Sequence, residues 1–192
     1  MNKAFLDSHI SDFRDNIKTL KELSAPKDSC GNPPVLDAFS CGKIEGIDFD
    51  ALRCKWHPWQ PGTNVPCSVD ALVLSREEGM FFIEFKSGDN IERADLYRKI
   101  YDSVIMLFEH DKQDLKQMRQ SATYIVVATK LQNKTIAVSR SLLFKARPWI
   151  DSRYKEQFNS WDLQKLEGVI VSKAFCMGPN IFDLFVKVER WI

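Results

Sequence analysis

The sequence predicts an α/β fold, a mixed central sheet flanked by helices, built as a single domain over residues 1–192 with an irregular insertion at about 24–66. Three observations lead there. Hydrophobic residues make up 44% and charged residues 28% of the 192-residue chain, a soluble globular balance with enough length for a substantial core. Two apolar runs of strand length, residues 67–74 and 80–86, flank a polar turn. A helical-period segment then leads to a further apolar run, Tyr124-Ile125-Val126-Val127-Ala128, the alternation expected of strands joined through helices.

The elements follow in order. Leu6, Ile10, Phe13, Ile17 and Leu20 recur at helical spacing and predict a first core helix, with Glu22 and Asp15 nearly opposite its apolar stripe and Asp7 and Asp12 flanking it. Residues 24–66 hold most of the eight prolines and show no sustained period, which predicts a long irregular region with short strands around 44–52. After Lys86, Ser87-Gly88-Asp89-Asn90 is turn and cap chemistry and predicts a helix over about 91–109. Ala94, Tyr97, Tyr101, Val104, Ile105 and Phe108 form its stripe. Residues 168–171 read as another buried strand, 139–166 as mixed helical pattern, and 181–188 as either strand or helix.

Charges stand inside the two strand-like runs. Asp70 lies in the first; Glu84 and Lys86 lie in the second. An unpaired buried carboxylate costs several kcal/mol by order of magnitude, so such groups persist when paired, hydrogen-bonded or bound to metal. Side chains alternate along a strand, so Glu84 and Lys86 share a face. A turn centred on Glu77 pairs Leu74 with Met80 and, farther out, Asp70 with Glu84. Two opposed carboxylates repel unless a cation sits between them, and a hard divalent ion with oxygen ligands fits. Phe81, Ile83 and Phe85 on one face and Phe82 on the other predict a strand covered on both sides. The alternative is a solvated Glu-x-Lys pair guarding a sheet edge.

Asp70, a spacer and Glu84-Phe85-Lys86 on a hairpin resemble the signature of the PD-(D/E)xK nuclease superfamily, with Val69 standing where that signature has proline. The resemblance covers residues 70–86 by motif and loosely the first 130 residues by order of elements. It implies a restriction-endonuclease-like core of helix, three-stranded meander, helix and further strand. It also implies metal-dependent phosphodiester hydrolysis of nucleic acid, with DNA the expected partner. Asp70 and Glu84 would hold Mg²⁺ or Mn²⁺, and Lys86 would assist the attacking water. Homodimerisation to cut both strands is a further expectation from the resemblance. A non-catalytic binding or regulatory module on the same fold is the competing reading, and a component of a defence or toxin system is a third.

From the helix after Lys86, Arg98 lies near the margin of the apolar stripe and Lys99 nearly opposite it, at about 100° per residue. Arg98 is therefore the expected accessory phosphate contact, its plainer role being an i,i+4 pair with Asp102. A net charge of +1 gives no global pull toward nucleic acid, so a basic surface would be local, from Arg93, Arg98, Lys99, Lys112, Lys116 and Arg119. Trp56, His57, Trp59 and Gln60 could stack on bases, although packing over the core explains aromatic residues more often.

Five cysteines, with no leader-like segment, predict reduced thiols in a cytoplasmic protein. Cys54-Lys55-Trp56-His57 has one Cys-x-x-His spacing that Cys41 and Cys67 could complete around structural zinc. Such sites ordinarily show two paired knuckles, which argues for buried thiols instead. No run approaches the roughly 20 apolar residues of a membrane span.

Overall fold

The structure is a computed structural model and describes residues 13–26, 33–58, 60–62, 64–75, 79–111, 115–131 and 160–188. The strands are β1 (Ile17–Thr19), β2 (Glu45–Asp48), β3 (Ala71–Ser75), β4 (Gly79–Lys86), β5 (Ala122–Ala128) and β6 (Lys173–Met177). They form one open six-stranded sheet in sequence order. Neighbours from β1 to β4 are antiparallel, whereas β5 runs parallel to β4 and β6 parallel to β5. The helices are α1 (Leu20–Leu23), α2 (Phe49–Trp56), α3 (Arg93–Asp111), α4 (Leu115–Ser121) and α5 (Pro179–Val188). The α/β class with a mixed sheet and flanking helices is what the patterning predicts.

Both faces of the sheet are covered, and the alternation along β4 sorts its side chains between them. Met80 and Phe82 pack with Leu72, Tyr124 and Val126 beneath Leu96, Ile100 and Leu107 of α3. Phe81, Ile83 and Phe85 pack with Val73, Ile125 and Val127 against α1, the 35–44 segment and α5. Every residue of β4 from Met80 to Phe85 is buried. At roughly 1.5–3 kcal/mol for each fully buried large apolar side chain, these two layers fix the face of every residue on β4.

Three sequence expectations are corrected. The helical stripe through Ile17 and Leu20 is broken: Ile17 lies in β1, opposite Ile47, and is 45% exposed. The Thr19 side chain accepts from the Glu22 backbone while Glu22 Oε2 accepts from the Thr19 backbone at 2.8 Å, so a new helix starts there. The strand expected over 44–52 stops at Asp48, whose Oδ1 accepts from Ala51 N–H at 3.0 Å and caps α2. Residues 168–171 make a turn, with Gly168 at φ 72° and Glu167 bridging to Val171, and the strand lies two residues later in β6. The open choice at 181–188 resolves to helix α5. The expected pattern over 139–159 lies outside the described residues.

Candidate functional site

The β3–β4 register sets the site. Leu74 stands opposite Met80 and Ala71 opposite Ile83, so Asp70, one residue before β3, continues that ladder toward Glu84. Glu84 and Lys86 sit at the carboxyl end of β4, beside Val126 and Ala128 of β5. This is the register the sequence predicts.

Asp70 is held through its own carboxylate and through its carbonyl, which accepts from Phe49 N–H at 3.3 Å. Its Oδ2 accepts from Phe85 N–H at 2.7 Å, taking the place of a ladder carbonyl. The segment just before it is tied to α3, with Val69 N–H donating to Ser103 Oγ at 3.0 Å and Cys67 N–H to Asp102 Oδ2 at 2.8 Å. Ser68 Oγ also donates to Asp50 Oδ1 of α2. Satisfying these buried amides fixes the position of the Asp70 backbone.

The electrostatics centre on Glu84. Glu84 is fully buried, and its Oε1 receives both Lys99 Nζ at 2.7 Å and Lys86 Nζ at 2.9 Å. Its other oxygen, Oε2, is buried with no hydrogen-bond partner. Lys99 Nζ also lies 3.9 Å from Asp70 Oδ1, and Lys86 Nζ lies 2.9 Å from Asp95 Oδ2. Three carboxylates and two ammoniums therefore leave one net negative charge when all are ionised.

The titration behaviour follows from this arrangement. Burial pushes the Glu84 carboxyl up to about 7, and repulsion from Asp70 adds to that, while the two lysines oppose it. For Lys86 and Lys99, burial pulls the pKa down, but the surrounding carboxylates, Glu84 foremost, together outweigh it and both ammoniums end raised. Asp95 ends lowered: burial raises it, and the hydrogen bond and charge of Lys86 together with Lys99 and Arg98 more than offset this.

Asp70, Glu84 and Lys86 thus share one face under α3, with Lys86 at the opening. A cleft of about 440 Å³ begins there, lined by Lys86, Asn90, Glu92, Ala94, Asp95 and Arg98. The helix gives the two basic residues different places, Arg98 at the cleft and Lys99 at the carboxylate pair. Arg98 is 62% exposed and turns back to Asp95 at 3.2 Å, whereas Lys99 reaches the carboxylates. The buried stripe of α3 is Leu96, Ile100, Val104 and Leu107, while Ile105 and Phe108 are 47% and 45% exposed. Ile105 and Phe108 therefore lie off the buried face, and the helix is rotated so that Asp95 and Lys99 flank that face. The signal that finds them is the stripe Leu96-Ile100-Val104-Leu107, whose margin carries Asp95 and Lys99 four residues apart.

The remaining candidates are placed elsewhere. Trp56 packs on Phe13 and Phe49 and stacks on His110 at 4.4 Å, and His57 faces Glu109 at 3.6 Å. Arg93 pairs with Asp162 at 2.7 Å, and Arg119 donates to the Val169 carbonyl at 2.6 Å. Cys41 is buried in the opposite layer from α3, where burial and then Asp183 push its thiol up to about 12; Cys54 is exposed. Among the described residues no three of His, Cys, Asp and Glu gather as a metal site of that kind. Cys30, Trp59 and Lys112 lie outside the described residues. Among the described residues, no helix is long and apolar enough to cross a membrane.

Comparison with family models, with curated proteins and with solved structures found no match for this chain.

Proposed function

We propose that the protein is a metal-dependent phosphodiesterase acting on nucleic acid, DNA foremost, through a PD-(D/E)xK-type site of Asp70, Glu84 and Lys86. The observation that carries this reading is Glu84: a fully buried carboxylate, opposed by Asp70 and with one oxygen lacking any hydrogen bond, two residues from Lys86, which lines a cleft. A structural ion pair would gain by satisfying both oxygens. The order of elements supports the same reading, since β2, β3 and β4 form an antiparallel meander, α3 follows, and β5 lies parallel to β4.

The donor set fits a hard divalent cation such as Mg²⁺ or Mn²⁺, with Asp70 and Glu84 as the holding residues. When bound, that ion would supply neutralisation of a phosphodiester and a more acidic water. The chain's own groups do the rest. Phe85 N–H fixes the Asp70 carboxylate, so one ligand is oriented before anything binds. Lys86, 22% exposed and facing the cleft, is positioned to hold a phosphate oxygen or to orient the attacking water. Asp95 holds the Lys86 ammonium on the cleft side and, after Glu84, helps to keep it protonated. Arg98 adds positive charge at the rim, where a flanking phosphate of the polymer would lie.

A second reading has its own observation. Both lysines converge on Glu84 Oε1, so the cluster also satisfies the description of a buried ion network in a non-catalytic binding or regulatory module. Cleavage assays separate the two. Purified protein with Mg²⁺ or Mn²⁺ is expected to cut duplex DNA, single-stranded DNA or RNA. Glu84→Ala and Lys86→Ala are expected to lose at least about a hundredfold in rate while keeping a cooperative unfolding transition. Inactivity of the wild type on all three polymers with either metal favours the second reading.

A further inference from the structure

The sequence calls for a cation between Asp70 and Glu84, and the structure has one there: the ammonium of Lys99, 2.7 Å from Glu84 Oε1 and 3.9 Å from Asp70 Oδ1. We infer that Lys99 is an internal counter-ion that holds this carboxylate pair together in the metal-free protein and is displaced from it when a divalent ion binds. The inference rests on the reading of Asp70 and Glu84 as a metal pair, and it adds a gate to that site.

Three features of the cluster carry it. The first is electrostatic: an ammonium and a divalent ion cannot share the same two carboxylates without repulsion at close range in a poorly solvated site, so one excludes the other. The second is the difference between the lysines. Lys86 also contacts Asp95 at 2.9 Å and keeps that anchor if Glu84 is taken by a metal, whereas the ion pairs of Lys99 are with Glu84 and Asp70 themselves. Lys99 is therefore the ammonium that must leave. The third is access: Lys99 is 19% exposed, so its long side chain can withdraw toward solvent without unfolding α3. The helix backbone, fixed by Leu96 and Ile100 in the core, stays where it is.

In this role Lys99 offsets the repulsion between the two carboxylates, so every metal-binding event breaks one charge-assisted hydrogen bond. Lys99 is a positioning residue rather than a group that touches substrate.

Titration calorimetry with MnCl₂, on the full chain without nucleic acid, tests this directly. Lys99→Met and Lys99→Gln are expected to bind Mn²⁺ roughly tenfold more tightly than wild type, the factor corresponding to one charge-assisted hydrogen bond, and Lys99→Arg to stay near wild type. The rise in Tm on adding Mn²⁺ is expected to be larger in Lys99→Met than in wild type. A measurement on the wild type itself does not depend on the variants folding: saturating Mg²⁺ should remove the slowly exchanging Lys99 ammonium signal from the NMR spectrum and leave that of Lys86. Wild-type or weaker Mn²⁺ affinity in both neutral variants, or an unchanged Lys99 signal at saturating Mg²⁺, overturns the counter-ion role while leaving the metal pair intact. Absence of Mn²⁺ binding in wild type and variants alike overturns the metal pair and the gate together.

Discussion

Glu84 is the residue on which the proposed chemistry turns. It sits mid-sheet on a fully covered strand, and its carboxyl titrates near 7 because burial and Asp70 together outweigh two lysines. That shift has a consequence for stability. In the unfolded chain the group titrates near 4.5, so between about 4.5 and 7 the folded protein holds the proton more tightly. The contribution is fully present below 4.5 and is lost as pH rises through 7, amounting to about 3 kcal/mol over the window. Urea unfolding in EDTA should show wild-type stability falling across that range, and Glu84→Gln should remove most of the slope. A slope unchanged in the variant would contradict the raised carboxyl. At this scale the sequence was informative: an acid inside an apolar run announces its own cost, and period-two alternation assigns it a face shared with Lys86. Its lysine partner from α3 was less legible, because the choice between Arg98 and Lys99 depends on a helix rotation of about 100° per residue that exposed Ile105 and Phe108 disguise.

Among the elements, the β3–β4 hairpin does the positioning, and its register is pinned at several points. Core side chains alternate into two layers, so a one-residue slip would turn Glu84 and Lys86 into the apolar layer under α1 and α5 and Phe85 into the charge cluster. Gly79 begins β4 opposite Ser75 at φ 101°, with Ser121 O, at the end of α4, only 2.5 Å from where a Cβ would stand. Gly79→Ala is therefore expected to cost at least about 2 kcal/mol, from the left-handed backbone and from backbone displaced on α4. Chemical denaturation measures it, and a cost under half a kcal/mol would mean the hairpin adjusts without disturbing the strand. Local pattern reading went furthest for this hairpin and for β5, where apolar runs of strand length have no helical competitor. It went least far at 13–23 and 44–56. There, 3.6-residue periodicity lost to pairing between distant strands, and a capping Asp48 ended a strand that its apolar neighbours would have prolonged. The capping box Thr19-Leu20-Lys21-Glu22 was written in the sequence and marks the break.

For the whole molecule, β4 is where the sheet changes sense, antiparallel to β3 on one side and parallel to β5 on the other. The carboxyl ends of β4 and β5 lie side by side, the chain leaves β4 into the turn before α3, and the cleft opens beside Lys86. Crevices outside the carboxyl ends of strands are where open α/β sheets place ligands, so the location of the charge cluster and the topology agree on physical grounds. The order of strands was not readable from the chain, because partners separated by long irregular stretches carry no local signal of adjacency. What the sequence carried was the one hairpin whose residues must be neighbours. The claim that depends on all three scales is that Asp70 and Glu84 hold one divalent ion. Crystals grown with MnCl₂ and measured at the manganese absorption edge test it most directly. The expected result is a single anomalous peak at about 2.0–2.3 Å from an oxygen of each carboxylate, with the Lys99 ammonium withdrawn from Glu84. A map with no anomalous peak at this pair, and Lys99 still bridging Glu84 and Asp70, would contradict it.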